Sequence, residues 1–194
     1  ELPEEEGKSL SDKIRKSIGL DDVNKALNDP SKVEKFQVLS PVKNPVWGTF
    51  QINSYFQEWV GINKNFSIEI APITISALDK VIQLKNERKK STSKEECQLS
   101  NGQIGFVNYA NKREKKSTVV FTGLPNKRFS YYSSKSDEAD NTIDLAYAIT
   151  IHKSQGSDFD TVLVVLPKSG RILSRELIYS FNTSKKEINS VDTR

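Results

Sequence analysis

Apolar residues recur along both ends of this 194-residue chain with the spacing of alternating helices and buried strands. Helical spacing is found over residues 10–18, 23–27 and 50–60, and the last of these predicts an amphipathic helix covering a sheet. Residues 36–39 and 161–166 are short apolar-rich runs, which is typical of buried strands. This alternation predicts an α/β fold, with a further helix beginning near residue 174.

The middle of the chain has a different pattern. Short β-rich runs at 80–84, 104–109, 118–121 and 128–132 are separated by charged turns or by turns that contain Gly, Asn and Pro. Closely spaced short strands favour a small barrel or meander over a continuation of the α/β layer. We therefore predict a β-rich insert within an α/β domain.

Two features of this insert concern its surface. Charged residues dominate 87–96, which predicts an exposed and mobile loop. Its aromatic residues are interpreted mainly as barrel core rather than as a base-stacking platform, but Tyr131 and Tyr132 are adjacent and must face opposite sides of a strand. The aromatic residues concerned are Phe106, Tyr109, Phe121, Phe129, Tyr131 and Tyr132.

Composition limits the possible classes of protein. A hydrophobic content of 36% with 28% charged residues fits a globular chain, and a net charge of +4 is compatible with nucleic acid as a partner. The single cysteine, Cys97, excludes an intramolecular disulfide, and no apolar run reaches the roughly 18 residues of a membrane span. We expect a soluble cytoplasmic protein without a membrane partner. Because the sequence has no methionine, even at position 1, we also expect it to be an excised fragment.

Chemically active side chains are concentrated between residues 146 and 159. This segment holds the only histidine, a lysine, one threonine and two serines, a glutamine and a carboxylate, directly before the apolar run at 161–166. Polar side chains at the end of a buried strand are how α/β proteins build ligand sites. One His and one Cys cannot supply a metal-ligand cluster. Gly7-Lys8-Ser9 is not a P-loop, because Leu2 stands where that motif needs its first glycine.

The same segment, A-Y-A-I-T-I-H-K-S-Q-G-S-D-F, resembles motif V of superfamily 1 helicases of the RecD-like and UvrD-like type. Q-V-L-S-P-V at 37–42, with Gly48-Thr49 and Ile52-Asn53, resembles motif IV of that group, and 79–83 and 101–105 resemble segments between the two motifs. The resemblance covers roughly residues 36–187, so the chain resembles the C-terminal half of such a helicase.

The resemblance implies a fold and a domain organisation. The fold would be an α/β, RecA-like second motor domain with an inserted small SH3-like β-barrel. Residues 1–35 would be an N-terminal helical segment or linker, 36–76 and 141–194 the two parts of the RecA-like domain, and 77–140 the inserted barrel. The partners implied are single-stranded DNA and an N-terminal RecA-like domain of the same protein, with ATP and Mg²⁺ bound in the full-length protein.

Site residues follow from the same resemblance. The DNA path would run along hydroxyl, amide and cationic groups that grip the sugar-phosphate backbone without reading bases: Ser40, Lys43, Asn44, Thr150, His152, Lys153 and Ser154. Gln155, Gly156 and Asp158 would lie at the nucleotide, with Asp158 where the family places a carboxylate, usually glutamate, on the ribose.

The chain departs from the family near its end. Residues 172–179 resemble the approach to motif VI, but Ser184 stands where the family has an arginine that stabilises charge on the γ-phosphate. Loss of such an arginine costs about 10³–10⁵ in turnover in related phosphoryl-transfer enzymes. We expect no ATPase activity from this chain alone. Two alternatives stay open: a degenerate, non-catalytic nucleic-acid-binding or scaffolding protein, and, with less support, a protein-interaction module built on the insert.

Overall fold

The computed structural model describes residues 4–44, 48–60, 66–70, 72–133, 142–154, 157–165 and 188–190. The α-helices are α1 (Glu4–Ser17), α2 (Val23–Asn28), α3 (Thr49–Val60) and α4 (Ile151–Ser154), and a 3-10 helix spans Pro30–Glu34. The strands are β1 (Phe36–Ser40), β2 (Ser67–Ile70), β3 (Ile73–Ser76), β4 (Lys80–Gln83), β5 (Glu87–Lys90), β6 (Glu96–Leu99), β7 (Ile104–Asn111), β8 (Lys116–Phe121), β9 (Phe129–Tyr132), β10 (Ile143–Leu145), β11 (Ala148–Thr150), β12 (Thr161–Val164) and β13 (Ile188–Ser190).

A parallel sheet forms the α/β part of the chain. Its strand order is β11-β1-β12-β13, and every neighbouring pair is parallel. In the register of β1 with β11, Ser40 lies opposite Thr150, so the carboxyl ends of these two strands meet at one edge. The predicted α/β fold is confirmed, and α3 is the predicted amphipathic helix. Phe50 is an exception, because its side chain is 62% exposed instead of packing against the sheet. The helix predicted to begin near residue 174 lies outside the described residues.

The insert is antiparallel, as its pattern predicted. Its strands β4, β7, β8 and β9 form one sheet with β10, which follows the predicted insert, in the order β10-β4-β7-β8-β9. β5–β6 is a hairpin within the predicted insert, and β2–β3 is a hairpin directly before it. The four predicted β-rich runs correspond to β4, β7, β8 and β9. Over the described residues this is a five-stranded sheet, and its closure into an SH3-like barrel stays a prediction.

The stretch 87–96 is not the loop that we predicted. It forms most of the hairpin β5–β6, in which Glu87 pairs with Leu99 and Lys90 with Glu96. The turn is closed by the backbone N–H of Ser91, which donates to the carbonyl of Glu95 at 2.8 Å, and Lys94 adopts a left-handed φ of 66° there. All four residues of β5 are charged, with Arg88 and Lys90 exposed and Glu87 and Lys89 half-buried, so this run of charges occupies both faces of a strand.

The two parts of the chain share a hydrophobic core. One cluster joins Val38 and Ile149 of the parallel sheet to Ile82 and Phe106 of the insert. The N-terminal segment enters the same cluster through buried side chains: Ile14, Ile18, Leu20, Ala26 and Val33. Because both sheets pack against common side chains, the insert has a fixed position relative to the α/β part.

A second cluster fills the insert itself. It contains Phe121 and Phe129, whose rings lie 5.8 Å apart, together with residues of the β2–β3 hairpin. Tyr131 is 5% exposed whereas Tyr132 is 62% exposed, which confirms that the adjacent tyrosines face opposite sides. The interpretation of most insert aromatics as core is therefore confirmed, and Tyr109 and Tyr132 are the exposed members.

Candidate nucleic-acid interface

A cleft of about 110 Å³ opens at the edge where β1 and β11 end. Its lining combines the loop after β1, the first turns of α3, strands β10 and β11, and Lys153 of α4. The lining residues are Lys43, Asn44, Thr49, Phe50, Asn53, Ser54, Ile73, Asp144, Leu145, Ala148, Ile149, Thr150 and Lys153. The carboxyl ends of parallel strands are where α/β proteins bind ligands.

The loop after β1 is shaped by backbone hydrogen bonds at the start of α3. The N–H of Thr49 donates to the carbonyl of Val42 at 3.0 Å, and the N–H of Phe50 donates to that of Lys43 at 3.2 Å. A Cβ atom at Gly48 would lie 2.2 Å from the Lys43 carbonyl oxygen, so the close return of the chain requires glycine. Since these first-turn amides already have partners, side chains and not the helix N-terminus must supply most of the contacts to a ligand.

Asn53 ties α3 to the predicted site segment. Its side-chain amide donates to the carbonyl oxygens of Leu145 at 3.3 Å and Ala148 at 3.0 Å. Its amide oxygen accepts from the N–H of Ala148 at 2.8 Å. The side chain is buried, so this three-bond contact fixes β11 against α3 and thereby places Thr150 at the cleft.

Lys153 and Asp144 face each other across the cleft. The Lys153 ammonium lies 3.9 Å from the Asp144 carboxylate, and both side chains are partly exposed. Burial lowers the pKa of Lys153, opposed by the attraction of Asp144, while Lys43 lowers it further. Burial raises the pKa of Asp144, opposed by the charges of Lys153 and Lys43. The cleft therefore holds two cations and one carboxylate that interact electrostatically.

The structure brings together part of the predicted DNA-contacting set. Lys43, Asn44, Thr150 and Lys153 line the one cleft. Ser40 is buried behind it, where its hydroxyl donates to the carbonyl of Val42 at 3.2 Å.

The other predicted residues lie beyond the lining. His152 is exposed on α4, and the Ser154 hydroxyl donates to the carbonyl of Ile151 at 2.8 Å. Asp158 is exposed in the connection to β12. Gln155, Gly156 and Ser184 lie outside the described residues.

Among the cleft-lining residues that the sequence reasoning did not predict for the site, one is charged and one is aromatic. Asp144 precedes the segment that we singled out, and only the pairing of β10 with β4 brings it opposite Lys153. Phe50 was assigned to the buried face of α3, and its position in the first turn directs its ring to the cleft instead. No local pattern distinguishes either residue, because both roles depend on contacts between distant segments.

A buried polar network lies behind the cleft. The Asp79 carboxylate accepts hydrogen bonds from the Gln57 side-chain amide at 2.6 Å, the Ser76 N–H at 2.7 Å and the Tyr147 hydroxyl at 3.0 Å. Burial raises the pKa of Asp79 to about 6, against the opposing effect of these three donors. The Tyr147 ring also stacks on Phe56 at 5.0 Å.

Lys80 makes a second connection between the two sheets. Its side chain is 1% exposed, and its ammonium donates to the carbonyl of Phe36 at 2.8 Å and lies 5.9 Å from the centre of the Phe159 ring. Burial lowers the pKa of Lys80 to about 7, with Glu34 acting in the opposite direction. Asp79 and Lys80 thus anchor the beginning of the insert to the strand and helix that shape the cleft.

The described ranges contain neither a metal-ligand cluster nor a membrane-spanning helix. No three His, Cys, Asp or Glu side chains gather there in an arrangement that could hold a metal ion. Within the same residues, none of the helices combines the length and the apolar character needed to cross a bilayer.

The sequence matches helicases. A family model for the UvrD-like helicase C-terminal domain matches residues 145–180. The chain is 27% identical over 165 residues to the RecD subunit of the RecBCD enzyme from Buchnera aphidicola subsp. Schizaphis graminum, covering 81% of this chain and 25% of that protein. It is 29% identical over 152 residues to the ATP-dependent RecD2 DNA helicase of Deinococcus radiodurans, covering 78% of this chain and 19% of the helicase.

Further matches concern an uncharacterized protein and a solved structure. An uncharacterized protein of Methanocaldococcus jannaschii is 31% identical over 168 residues, which is 79% of this chain and 14% of that protein. The chain thus spans a quarter or less of these three relatives. The crystal structure of Bacteroides Pif1 bound to ssDNA shares the fold with a TM-score of 0.53 at 17% identity, over 80% of this chain and 40% of that one. Together the matches confirm the resemblance that motifs IV and V indicated.

Proposed function

Because this chain resembles the C-terminal domain of superfamily 1 helicases of the RecD-like and UvrD-like type, we propose that it is the second RecA-like motor domain of an ATP-dependent DNA helicase. Its cleft would bind single-stranded DNA, and the full-length protein would couple that binding to ATP hydrolysis. The observation that carries the proposal is the convergence of Lys43, Asn44, Thr150 and Lys153 on one cleft at the carboxyl edge of the parallel sheet.

The lining suits a sugar-phosphate backbone. Lys43 and Lys153 supply positive charge, and Thr150 and Asn44 supply a hydroxyl and an amide that donate hydrogen bonds to phosphate oxygens. Such contacts carry no base sequence information, as a motor that moves along any strand requires. Binding should therefore weaken steeply with salt, since each neutralised phosphate releases condensed counterions.

The nucleotide would lie on the other side of the site segment. Asp158 is an exposed carboxylate that fits the ribose hydroxyls as a hydrogen-bond acceptor, with Gln155 and Gly156 beside it in the sequence. When bound, ATP would supply the free energy of γ-phosphate hydrolysis. As the helicase resemblance implies, the ligands of the accompanying Mg²⁺ would come from the N-terminal RecA-like domain of the full-length protein.

The domain organisation of the proposal follows the predicted boundaries. Residues 36–76 and 141–194 would form the RecA-like domain and 77–140 an SH3-like barrel, which would contain four of the five strands of the antiparallel sheet, while the fifth strand, β10 (Ile143–Leu145), lies just beyond that boundary. Residues 1–35 would belong to the domain as a helical segment, since several of its apolar side chains are buried in the shared core.

The DNA-binding part of the proposal is tested by fluorescence anisotropy with the full chain and a labelled single strand. Lys153→Ala should weaken binding and reduce its salt dependence by a slope of about 1. Lys25→Ala is the matched control, because Lys25 is also a lysine in an ion pair, with Asp21 at 2.7 Å, and lies on α2 away from the cleft lining. Equal affinities of Lys153→Ala, Lys25→Ala and the unaltered protein would contradict the proposal.

The catalytic part is tested by comparing two lengths of protein. The 194-residue chain alone should release no phosphate from ATP, since its sequence lacks the GxxxxGK[ST] motif. The full-length protein should hydrolyse ATP when single-stranded DNA is present. Turnover by the 194-residue chain would exclude the proposed division of the ATP site between two domains.

A second candidate is a non-catalytic nucleic-acid-binding or scaffolding protein that has kept the fold. Ser184 favours it, because a serine cannot stabilise charge on a γ-phosphate as arginine does. Ser184→Arg in the full-length protein separates the two functions. A large gain in DNA-dependent ATPase activity, with no activity in the unaltered protein, would support this second candidate, whereas ATPase activity in the unaltered protein would exclude it.

A further inference from the structure

Phe50 is the aromatic residue in the lining of a cleft that also contains Lys43, Lys153 and Asp144. Its side chain is 62% exposed, although apolar rings of this size are usually at least half buried. Four other large apolar residues are also exposed among those described, and none of these lines the cleft. Phe50 is therefore distinguished by its surroundings and not by exposure alone.

The backbone of Phe50 is firmly held. Its N–H donates to the Lys43 carbonyl at 3.2 Å, and its own carbonyl accepts from the Ser54 hydroxyl at 3.0 Å. The ring is thus presented from the first turn of α3 by a fixed backbone, next to the loop that carries Lys43. A fixed aromatic face costs little conformational entropy when a ligand packs against it.

The charges around Phe50 indicate the class of ligand. Lys43 and Lys153 line the same cleft as Phe50. Proteins that bind single-stranded nucleic acids combine aromatic side chains, on which the bases stack, with cations that pair with the phosphates. An apolar peptide would leave the two lysines without partners. In duplex DNA the bases are stacked on each other, so none is available to stack on the Phe50 ring. The occupant that satisfies both features is an unpaired nucleotide.

We propose that Phe50 is a base-stacking residue and that the cleft selects single strands over duplexes by holding one unpaired base against its ring. This inference rests on the proposed function, and it adds a base subsite to the phosphate contacts of Lys43 and Lys153. Stacking on a ring recognises any base, so the subsite gives selectivity for single strands without selectivity for sequence.

The test uses the full chain and three labelled probes of equal length: an intact single strand, a strand whose nucleotides lack bases, and a duplex. Phe50→Ala should weaken binding of the intact strand about tenfold and leave binding of the base-free strand unchanged. Phe50→Tyr, which keeps the aromatic face, should bind the intact strand like the unaltered protein. Phe66→Ala is the matched control, because Phe66 is also exposed (53%) and lies outside the cleft lining.

The outcomes separate this inference from the proposed function. If Lys153→Ala weakens binding but Phe50→Ala binds both single strands like the unaltered protein, the base subsite is refuted and the phosphate contacts remain. If Phe50→Ala weakens binding of the intact and base-free strands equally, its effect is structural and the inference is also refuted. If neither variant changes binding, both the subsite and the proposed function are refuted.

Discussion

The hydroxyl of Tyr147 donates a hydrogen bond of 3.0 Å to the buried carboxylate of Asp79. Tyr147 directly precedes β11, which ends at the cleft, and Asp79 directly precedes β4 of the antiparallel sheet. Gln57 of α3 donates to the same carboxylate, so one buried acid connects the insert, α3 and the site segment. This fully hydrogen-bonded buried network holds the insert, α3 and the site segment in fixed positions behind the cleft.

Tyr147→Phe should destabilise the protein by about 1.5–3 kcal/mol, because it removes one donor from a buried, charged acceptor while keeping the ring against Phe56. The free energy of unfolding in urea at neutral pH measures this loss. Tyr132→Phe is the control, since Tyr132 is exposed on the insert and its hydroxyl should contribute less than about 0.5 kcal/mol. Equal stability of the two variants would show that the Asp79 contact contributes little.

Lys80 should make stability depend on pH in a defined window. Burial lowers its pKa from the ordinary 10.5 to about 7 in the folded protein, so between these values the unfolded chain binds the extra proton. The contribution of Lys80 to stability is therefore present above pH 10.5 and is lost as the pH falls to about 7, with a slope of at most about 1.4 kcal/mol per pH unit. Asp79 changes stability in a lower window, between 3.8 and about 6, and does not interfere.

Lys80→Met isolates this effect, because methionine fills a similar volume without a titrating group. Urea denaturation at several pH values between 7 and 10 should show the free energy of unfolding rising with pH more steeply in the unaltered protein than in the variant. Parallel curves for the two proteins would mean that the buried Lys80 ammonium keeps its ordinary pKa.

Most of the fold could be predicted from local patterns, because periodicity reports which face of an element is buried. The apolar runs of β1, β12 and the insert strands were identified in this way. The hairpin β5–β6 was not, since Glu87–Lys90 consists of charged residues only, and its strand character depends on partners such as the Tyr131 ring, 3.8 Å from the Lys89 ammonium. The buried Lys80 was equally unpredictable, because the Phe36 carbonyl that it contacts lies 44 residues away in sequence.

The candidate site was predicted in outline and not in detail. The resemblance to motifs IV and V pointed to Lys43, Asn44, Thr150 and Lys153, which the structure brings to one cleft. Ser40 belongs to the same motif but is buried, because the last residue of β1 points inward next to Thr150. Asp144 and Phe50 were not predicted as cleft residues. Their positions there depend on contacts between segments that are distant in sequence, and local patterns do not report such contacts.

Gly48→Ala should distort the loop that carries Lys43. The added Cβ would lie 2.2 Å from the Lys43 carbonyl oxygen and 2.4 Å from its carbon, and backbone atoms cannot move aside cheaply. We expect a loss of about 1–3 kcal/mol in the free energy of unfolding, together with weaker binding of single-stranded DNA.

Gly123→Ala is the matched comparison for this substitution. Its Cβ would meet the side-chain nitrogen of Gln103 at 2.8 Å, and a flexible side-chain end can rotate away. This variant should lose less than about 1 kcal/mol and bind DNA normally. If the two alanine variants are equally stable, the close return of the loop at Gly48 is not a constraint on the site.

Asp144→Asn should tighten the binding of single-stranded DNA. The Asp144 carboxylate lies 3.9 Å from the Lys153 ammonium and competes with a phosphate for it, and the substitution removes that charge without changing the shape of the side chain. An ion pair with this exposure is worth at most about 1 kcal/mol, so the dissociation constant should fall by about two- to fivefold at low salt. Asp21→Asn controls for the change in net charge, since Asp21 lies in the turn between α1 and α2, pairs with Lys25 and is not a cleft-lining residue.

In a Lys153→Ala background the gain from Asp144→Asn should shrink, because the ammonium with which the carboxylate interacts is gone. A gain of equal size in both backgrounds would mean that Asp144 acts on the phosphate directly by repulsion, and weaker binding by Asp144→Asn would mean that its charge serves to hold Lys153 in position.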